Sequence, residues 1–186
     1  MISAEDLVGK RLLQVTTSWH HYQDTEPSLL HMWWHMDGLG PVRFHTPGDG
    51  LSMEIDEPHG PYDMGEYGHT TVEADLPGFP VTRFVGRQVL AVRETRCRHG
   101  DYDVAVGLAA RFPNGTIRVL NLADELVLAQ DRHLGPVEEH LHEATPSTSP
   151  GRLTLGRSER HGQWSRLSRG AKAVWASVSV ARAWRK

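Results

Sequence analysis

The chain is expected to be mainly β: two diverged four-stranded repeats packed as a sandwich or barrel, one short helix, and a basic C-terminal tail, helical or disordered. Three observations lead there. Residues 7–57 can be laid over 84–132. Short runs of alternating apolar and polar residues are bounded by Gly, Pro and Asn, the pattern of half-buried strands joined by tight turns. The charge also changes sign abruptly after residue 143.

The overlay begins where Leu7-Val8-Gly9-Lys10 meets Phe84-Val85-Gly86-Arg87, with Leu13 and Val15 on Leu90 and Val92. A two-residue gap in the first loop then brings Val42-Arg43-Phe44 onto Ile117-Arg118-Val119 and Asp49-Gly50-Leu51 onto Asp124-Glu125-Leu126. Nine of 49 aligned pairs are identical. That is too few to decide alone, so the reading rests on matches that keep their order through four elements. Copy one (7–57) is expected to hold strands at 10–19, 29–36, 42–46 and 51–56, and copy two (84–132) at 87–96, 103–111, 116–121 and 125–130. Strict alternation is clearest in Leu51-Ser52-Met53-Glu54-Ile55-Asp56. Asp37-Gly38-Leu39-Gly40 and Pro113-Asn114-Gly115 supply turn residues that tolerate positive φ.

Between the copies, 58–83 is a Gly/Pro-rich acidic insert and reads as loop rather than regular structure. Leu134, Val137 and Leu141 keep helical spacing, so 134–143 is expected to be the short helix. Residues 1–143 then form the duplicated domain, 144–163 has linker composition, and 164–186 is the tail. In that tail Trp164, Leu167, Ala171, Val174, Trp175 and Val178 recur at three-to-four spacing. Arg166, Arg169, Lys172, Arg182 and Arg185 supply the charge. If helical, the segment would suit an anionic membrane surface or nucleic acid.

Net charge is −3, but 1–143 carries 22 acidic and 11 basic residues against 1 and 9 in 144–186. One cysteine, Cys97, excludes an internal disulfide and fits a reducing cytosol. Met1-Ile2-Ser3-Ala4-Glu5-Asp6 lacks the basic and apolar regions of a secretory leader, and no apolar run approaches the roughly 18 residues of a membrane span. A cytoplasmic location is expected. Seventeen of the 20 basic residues are Arg, a bias that points to a GC-rich bacterial genome.

Two features, in copy one and the insert that follows it, carry chemistry. From Phe44 to Thr82 there is no Lys or Arg, whereas Glu54, Asp56, Glu57, Asp63 and Glu66 fall in that stretch. A one-signed surface speeds encounter with a basic protein and repels nucleic acid. Tyr62, Met64 and Tyr67 add the contact area typical of interfaces. The second feature is Leu30-His31-Met32-Trp33-Trp34-His35-Met36. Alternation puts Met32, Trp34 and Met36 on one face and His31, Trp33 and His35 on the other, whereas the overlay equates His31 and Trp33 with the apolar Val106 and Leu108. The Met32/Trp34/Met36 face is taken as core, because burying unpartnered histidines is costly. Trp33 then either packs under the insert or joins the acidic residues as a contact.

Twelve histidines raise the question of a metal. His31, His35 and His45 are the weak candidates, lacking the Cys pair, helix motif or carboxylate spacing that completes a zinc set. No metal and no cofactor is expected. No nucleophile elbow, P-loop or dinucleotide fingerprint is present, and Cys97 near His99 is not a dyad by spacing alone. No catalytic residue is assigned.

The runs Ser18-Trp19-His20-His21-Tyr22, Glu26-Pro27-Ser28-Leu29-Leu30-His31, Asp37-Gly38-Leu39-Gly40-Pro41 and Phe44-His45-Thr46-Pro47-Gly48 resemble an actinobacterial β-rich family with a duplicated module. The Val-Gly-x-x-Leu-x-x-Val … Asp-Gly pattern is similar to that of small bacterial immunity-type proteins. The resemblance spans 7–143 and implies a cytoplasmic protein that binds a partner, with no catalytic residues to carry over. Three functional expectations follow: an immunity-like module docking a basic protein on its acidic surface, a His/Trp-lined ligand-binding or hydrolytic barrel, and membrane or nucleic-acid binding through the tail.

Overall fold

The computed structural model describes residues 2–48, 50–99, 102–130 and 134–144. Among the described residues ten strands run in chain order: β1 Leu12–His21, β2 Ser28–Met36, β3 Gly40–His45, β4 Ser52–Ile55, β5 His69–Ala74, β6 Ala91–His99, β7 Tyr102–Phe112, β8 Gly115–Leu122, β9 Glu125–Ala129 and β10 Leu141–Ala144. They form two antiparallel sheets, ordered β4-β3-β2-β1-β5 and β10-β6-β7-β8-β9. The order is the same in both: a four-stranded meander whose first strand takes a fifth on its free side.

The inner faces share one apolar cluster. Leu12, Val15, Met32, Trp34, Met36, Val42 and Phe44 come from sheet one, and Val92, Leu108, Ala110, Phe112, Ile117 and Val119 from sheet two. Trp34 lies 4.8 Å from Phe44 and 6.1 Å from Phe112, ring to ring, which ties the sheets together at their centre. Met32 and Trp34 are completely buried, so alternation placed the core face of β2 correctly.

The two halves match in detail. Gly9 and Gly86, equivalent in the overlay, have φ of +81° and +80°, a conformation that glycine alone adopts freely. The Gly9 amide donates to Val89 O (2.8 Å), and the Gly86 amide returns the bond to Leu12 O (2.7 Å). Leu12 N to Arg87 O and Val89 N to Lys10 O, both 2.9 Å, form a second reciprocal pair around the Arg11–Gln88 bridge. Each first hairpin also bulges at the same place, after Ser18 and after Thr95.

That register settles the conflict at β2. Thr16 pairs with Trp33 and its equivalent Arg93 pairs with Ala109, so Trp33 corresponds to Ala109 rather than to Leu108. Only one residue of the two-residue gap lies in the first loop. The other lies in the second hairpin, where Met36 faces Gly40 but Phe112 faces Gly115.

Three expectations need correction. Each repeat has five strands, not four. The insert 58–83 contains β5, whose His-Thr-Thr-Val-Glu-Ala sequence is too polar to read as a buried strand yet suits an edge. The segment 134–143 is not an α-helix: Gly135–His140 is a 3-10 turn and Leu141 opens β10. Leu134 and Val137 still face inward, but onto the outer face of sheet two. Among the described residues no helix is long and apolar enough to cross a membrane. The linker and tail expectations (145–186) lie outside the described residues.

Candidate functional site

In both halves the chain leaves the fourth strand at one edge and must reach the fifth at the opposite edge. It therefore crosses the outer face of its own sheet. What the crossing segment meets there differs between the copies. Over sheet two, Leu134 and Val137 seal an aliphatic layer of Val106, Leu120, Leu122, Val127 and Ala129. Over sheet one the layer is aromatic and polar: at the positions equivalent to Leu120, Val127 and Ala129 stand His45, Ser52 and Glu54.

Residues 56–68 make the crossing over sheet one. Asp56 N donates to Pro41 O (3.1 Å) as the segment starts. His59 then sits over β2, with its ring centroid 5.1 Å from that of Trp33 and 5.2 Å from that of His31. Its Nδ1 lies 3.0 Å from Gly60 O and must carry the proton, so Nε2 accepts from His31 Nδ1 at 3.1 Å. Further along, Tyr62 and Thr70 exchange backbone and hydroxyl hydrogen bonds. Met64 N reaches Gly68 O (2.8 Å), and His20 Nε2 donates to Tyr67 O (2.6 Å). His21 stacks on His69 at 4.9 Å where β5 begins. The contacts of His59 with His31 and Trp33, of Tyr62 with Thr70 and of Tyr67 with His20 hold the crossing segment onto the sheet, and the Met64–Gly68 bond closes its turn.

The layer beneath is partly shielded from water, and its charges are closely coupled. Burial, with His59 and Arg43 nearby, pushes His31 down to about 4. Burial also lowers His45, helped by Arg43 and opposed by Glu54 and Asp56. Arg43 bonds Glu54 through its guanidinium and reaches Asp56 at 2.8 Å, and its hydrogen bond holds Glu54 below the usual carboxylate range. Three buried polar atoms on this sheet, Ser18 Oγ, Trp33 Nε1 and His45 Nδ1, have no hydrogen-bond partner. His45 Nδ1 lies 3.7 Å from Glu54 Oε1.

The residues singled out from sequence thus separate into groups. Glu57, Asp63, Glu66, Tyr62 and Tyr67 lie together on the crossing segment, all exposed. Glu54 and Asp56 are committed to Arg43. Trp33 is fully buried and cannot be a contact residue; it supports the segment from below. His31 and His45 are neighbours at 6.0 Å between ring centroids, while His35 is turned to Thr16, Nε2 to Oγ1 at 2.9 Å. Among the described residues no three His, Cys, Asp or Glu side chains are placed to hold a metal ion. Burial pushes the Cys97 thiol up, with Asp103 adding to the effect, which keeps it protonated and a poor nucleophile. The tail residues Arg166, Arg169, Lys172, Arg182 and Arg185 lie outside the described residues.

Sequence reasoning missed His59, His20 and Arg43. Nothing local marks His59, between Pro58 and Gly60, because its role follows from the path of the segment over β2. No family model, no curated protein and no solved structure matches this chain.

Proposed function

We propose that this protein is a cytoplasmic binding module that docks a basic protein on its acidic crossing segment, in an immunity-type role. One observation carries the reading: a contact surface of unpaired acids and large side chains sits on a segment that is itself firmly held. Tyr62 is 44% exposed, Met64 37% and Tyr67 64%. They are three of the eight exposed large hydrophobic residues among the described residues. Glu66 has no side-chain partner among the described residues, Glu57 has only the charge interaction with His35, and Lys and Arg are absent from Phe44 to Thr82. Aromatic anchors ringed by one sign of charge suit a cationic partner. A surface already ordered also loses less entropy on binding than a loose loop would.

The test is binding to purified cationic proteins encoded beside this gene, measured by calorimetry. A true partner binds wild type with a Kd that rises about tenfold or more between 50 and 300 mM salt. The triple reversal Glu57→Lys, Asp63→Lys, Glu66→Lys weakens it further, while Tyr67→Ala removes contact at unchanged charge. A partner bound equally well by the triple variant sinks the assignment of this surface.

A second reading, a small ligand held over sheet one, has the three unpartnered atoms Ser18 Oγ, Trp33 Nε1 and His45 Nδ1 in its favour. It ranks lower because the Trp33 and His59 rings already cover that face. Histidine ring resonances that stay fixed against a metabolite panel would end it.

A further inference from the structure

We propose a second binding site, on the outer face of sheet two, for a small planar organic anion. Trp33 fills the outer face of sheet one between β1 and β3 and is capped by His59. Its equivalent in sheet two is the small, buried Ala109, and among the described residues no aromatic side chain lines the space the indole would fill. A cavity of about 150 Å³ opens there, lined by Ala91, Arg93, Ala109, Arg111, Thr116 and Glu143.

The chemistry of the lining is divided. Ala91 and Ala109 give an apolar floor. Cross-strand pairing sets Ala91, Arg111 and Thr116 in one row, with Arg93 and Ala109 in the next. Two guanidinium groups therefore stand at the same hollow. Arg93 leans towards Glu143 at 3.7 Å, with both side chains about half exposed. Arg111 has no ion-pair partner among the described residues, so one cation at the rim is uncompensated. A guanidinium beside a small apolar floor recognises a flat body carrying a carboxylate, through charge-assisted hydrogen bonds above and ring contact below. A hollow of this volume accepts one aromatic ring, as an engineered cavity of about 150 Å³ in another protein accepts benzene. The site lies on the opposite sheet from the acidic surface and does not depend on the binding role proposed for it.

Titration of the isotope-labelled full chain with sodium benzoate, followed by amide NMR, tests the proposal. Benzoate is expected to shift the amides of Ala91, Ala109 and Thr116 saturably, with a Kd on the order of a millimolar. Inorganic phosphate, which lacks the flat body, should bind these positions at least tenfold more weakly. Ala109→Trp, which restores the residue of the other copy, should abolish binding by filling the hollow. Arg111→Gln changes an exposed, unpaired side chain, keeps the fold and should weaken benzoate at least tenfold; it decides the matter if Ala109→Trp does not fold. No saturable response at those amides overturns the proposal, as does an unchanged Kd in Arg111→Gln or equal affinity for phosphate.

Discussion

His31 on β2 and His59 on the crossing segment share a hydrogen bond, Nδ1 to Nε2 at 3.1 Å, and it is the central tie between the acidic surface and the sheet beneath it. Both rings can be neutral in this arrangement, but both cannot be protonated without repulsion at that distance.

The first expectation concerns acid. Burial, His59 and Arg43 set the folded pKa of His31 near 4, against 6.5 for an unperturbed ring. The unfolded chain therefore binds the proton first as pH falls, and stability drops between pH 6.5 and 4; above 6.5 this group contributes no slope. Solvent screening of a half-buried ring leaves about 1–2 kcal/mol of the full linkage. His45 and His35 are shifted the same way and add to it. Urea unfolding at pH 7.5, 6, 5 and 4 measures the slope. His31→Gln should flatten it, and an undiminished slope in that variant refutes the assignment.

Gly68 ends the crossing with φ +94°, and a Cβ there would meet His21 O at 2.0 Å. Gly68→Ala should cost about 2–4 kcal/mol, or open the segment locally with loss of amide protection at Met64 and Thr70. Gly65 also has positive φ but open space around it, so Gly65→Ala should cost only about 1 kcal/mol. Hydrogen exchange on both variants separates the steric term from the conformational one.

Trp33→Ala removes a fully buried ring from beneath the acidic surface. A loss of about 3–5 kcal/mol is expected by urea unfolding. A change below about 1 kcal/mol would mean that the ring is not an internal support.

Over sheet two, Arg118 grips Glu138 with two bonds of 2.7 and 2.9 Å, and Glu138 also accepts from Leu134 N at 3.2 Å. Arg118 is only 14% exposed, so the pair is well desolvated. A double-mutant cycle with Arg118→Met and Glu138→Gln should give a coupling of about 1–3 kcal/mol. Coupling near zero would show that this ion pair does not hold the 3-10 segment.

What could be read from the chain, and what could not, follows from the range of the forces involved. The four meander strands of each copy were legible because alternation and turn chemistry are local properties. Met32, Trp34 and Met36 report their common face to any reader of a period of two. β5 and β10 were not legible. His69–Ala74 is an edge strand with little apolar content, and its pairing with β1 is a contact between residues about 55 apart in sequence. Leu134, Val137 and Leu141 fit helical spacing by coincidence, since the segment is a short crossing that must end at the β6 edge.

The sequence by itself determined the β class, the repeat, the core face of β2 and the concentration of acid in the insert. Only the tertiary structure decided where that acid stands. By carrying 56–68 across sheet one, the fold set His59 on His31, buried Trp33, and left Glu57, Asp63 and Glu66 facing solvent. It also withdrew Glu54 and Asp56 from the free acidic set by pairing them with Arg43. Path and pairing of this kind depend on contacts far apart along the chain, which local pattern does not encode.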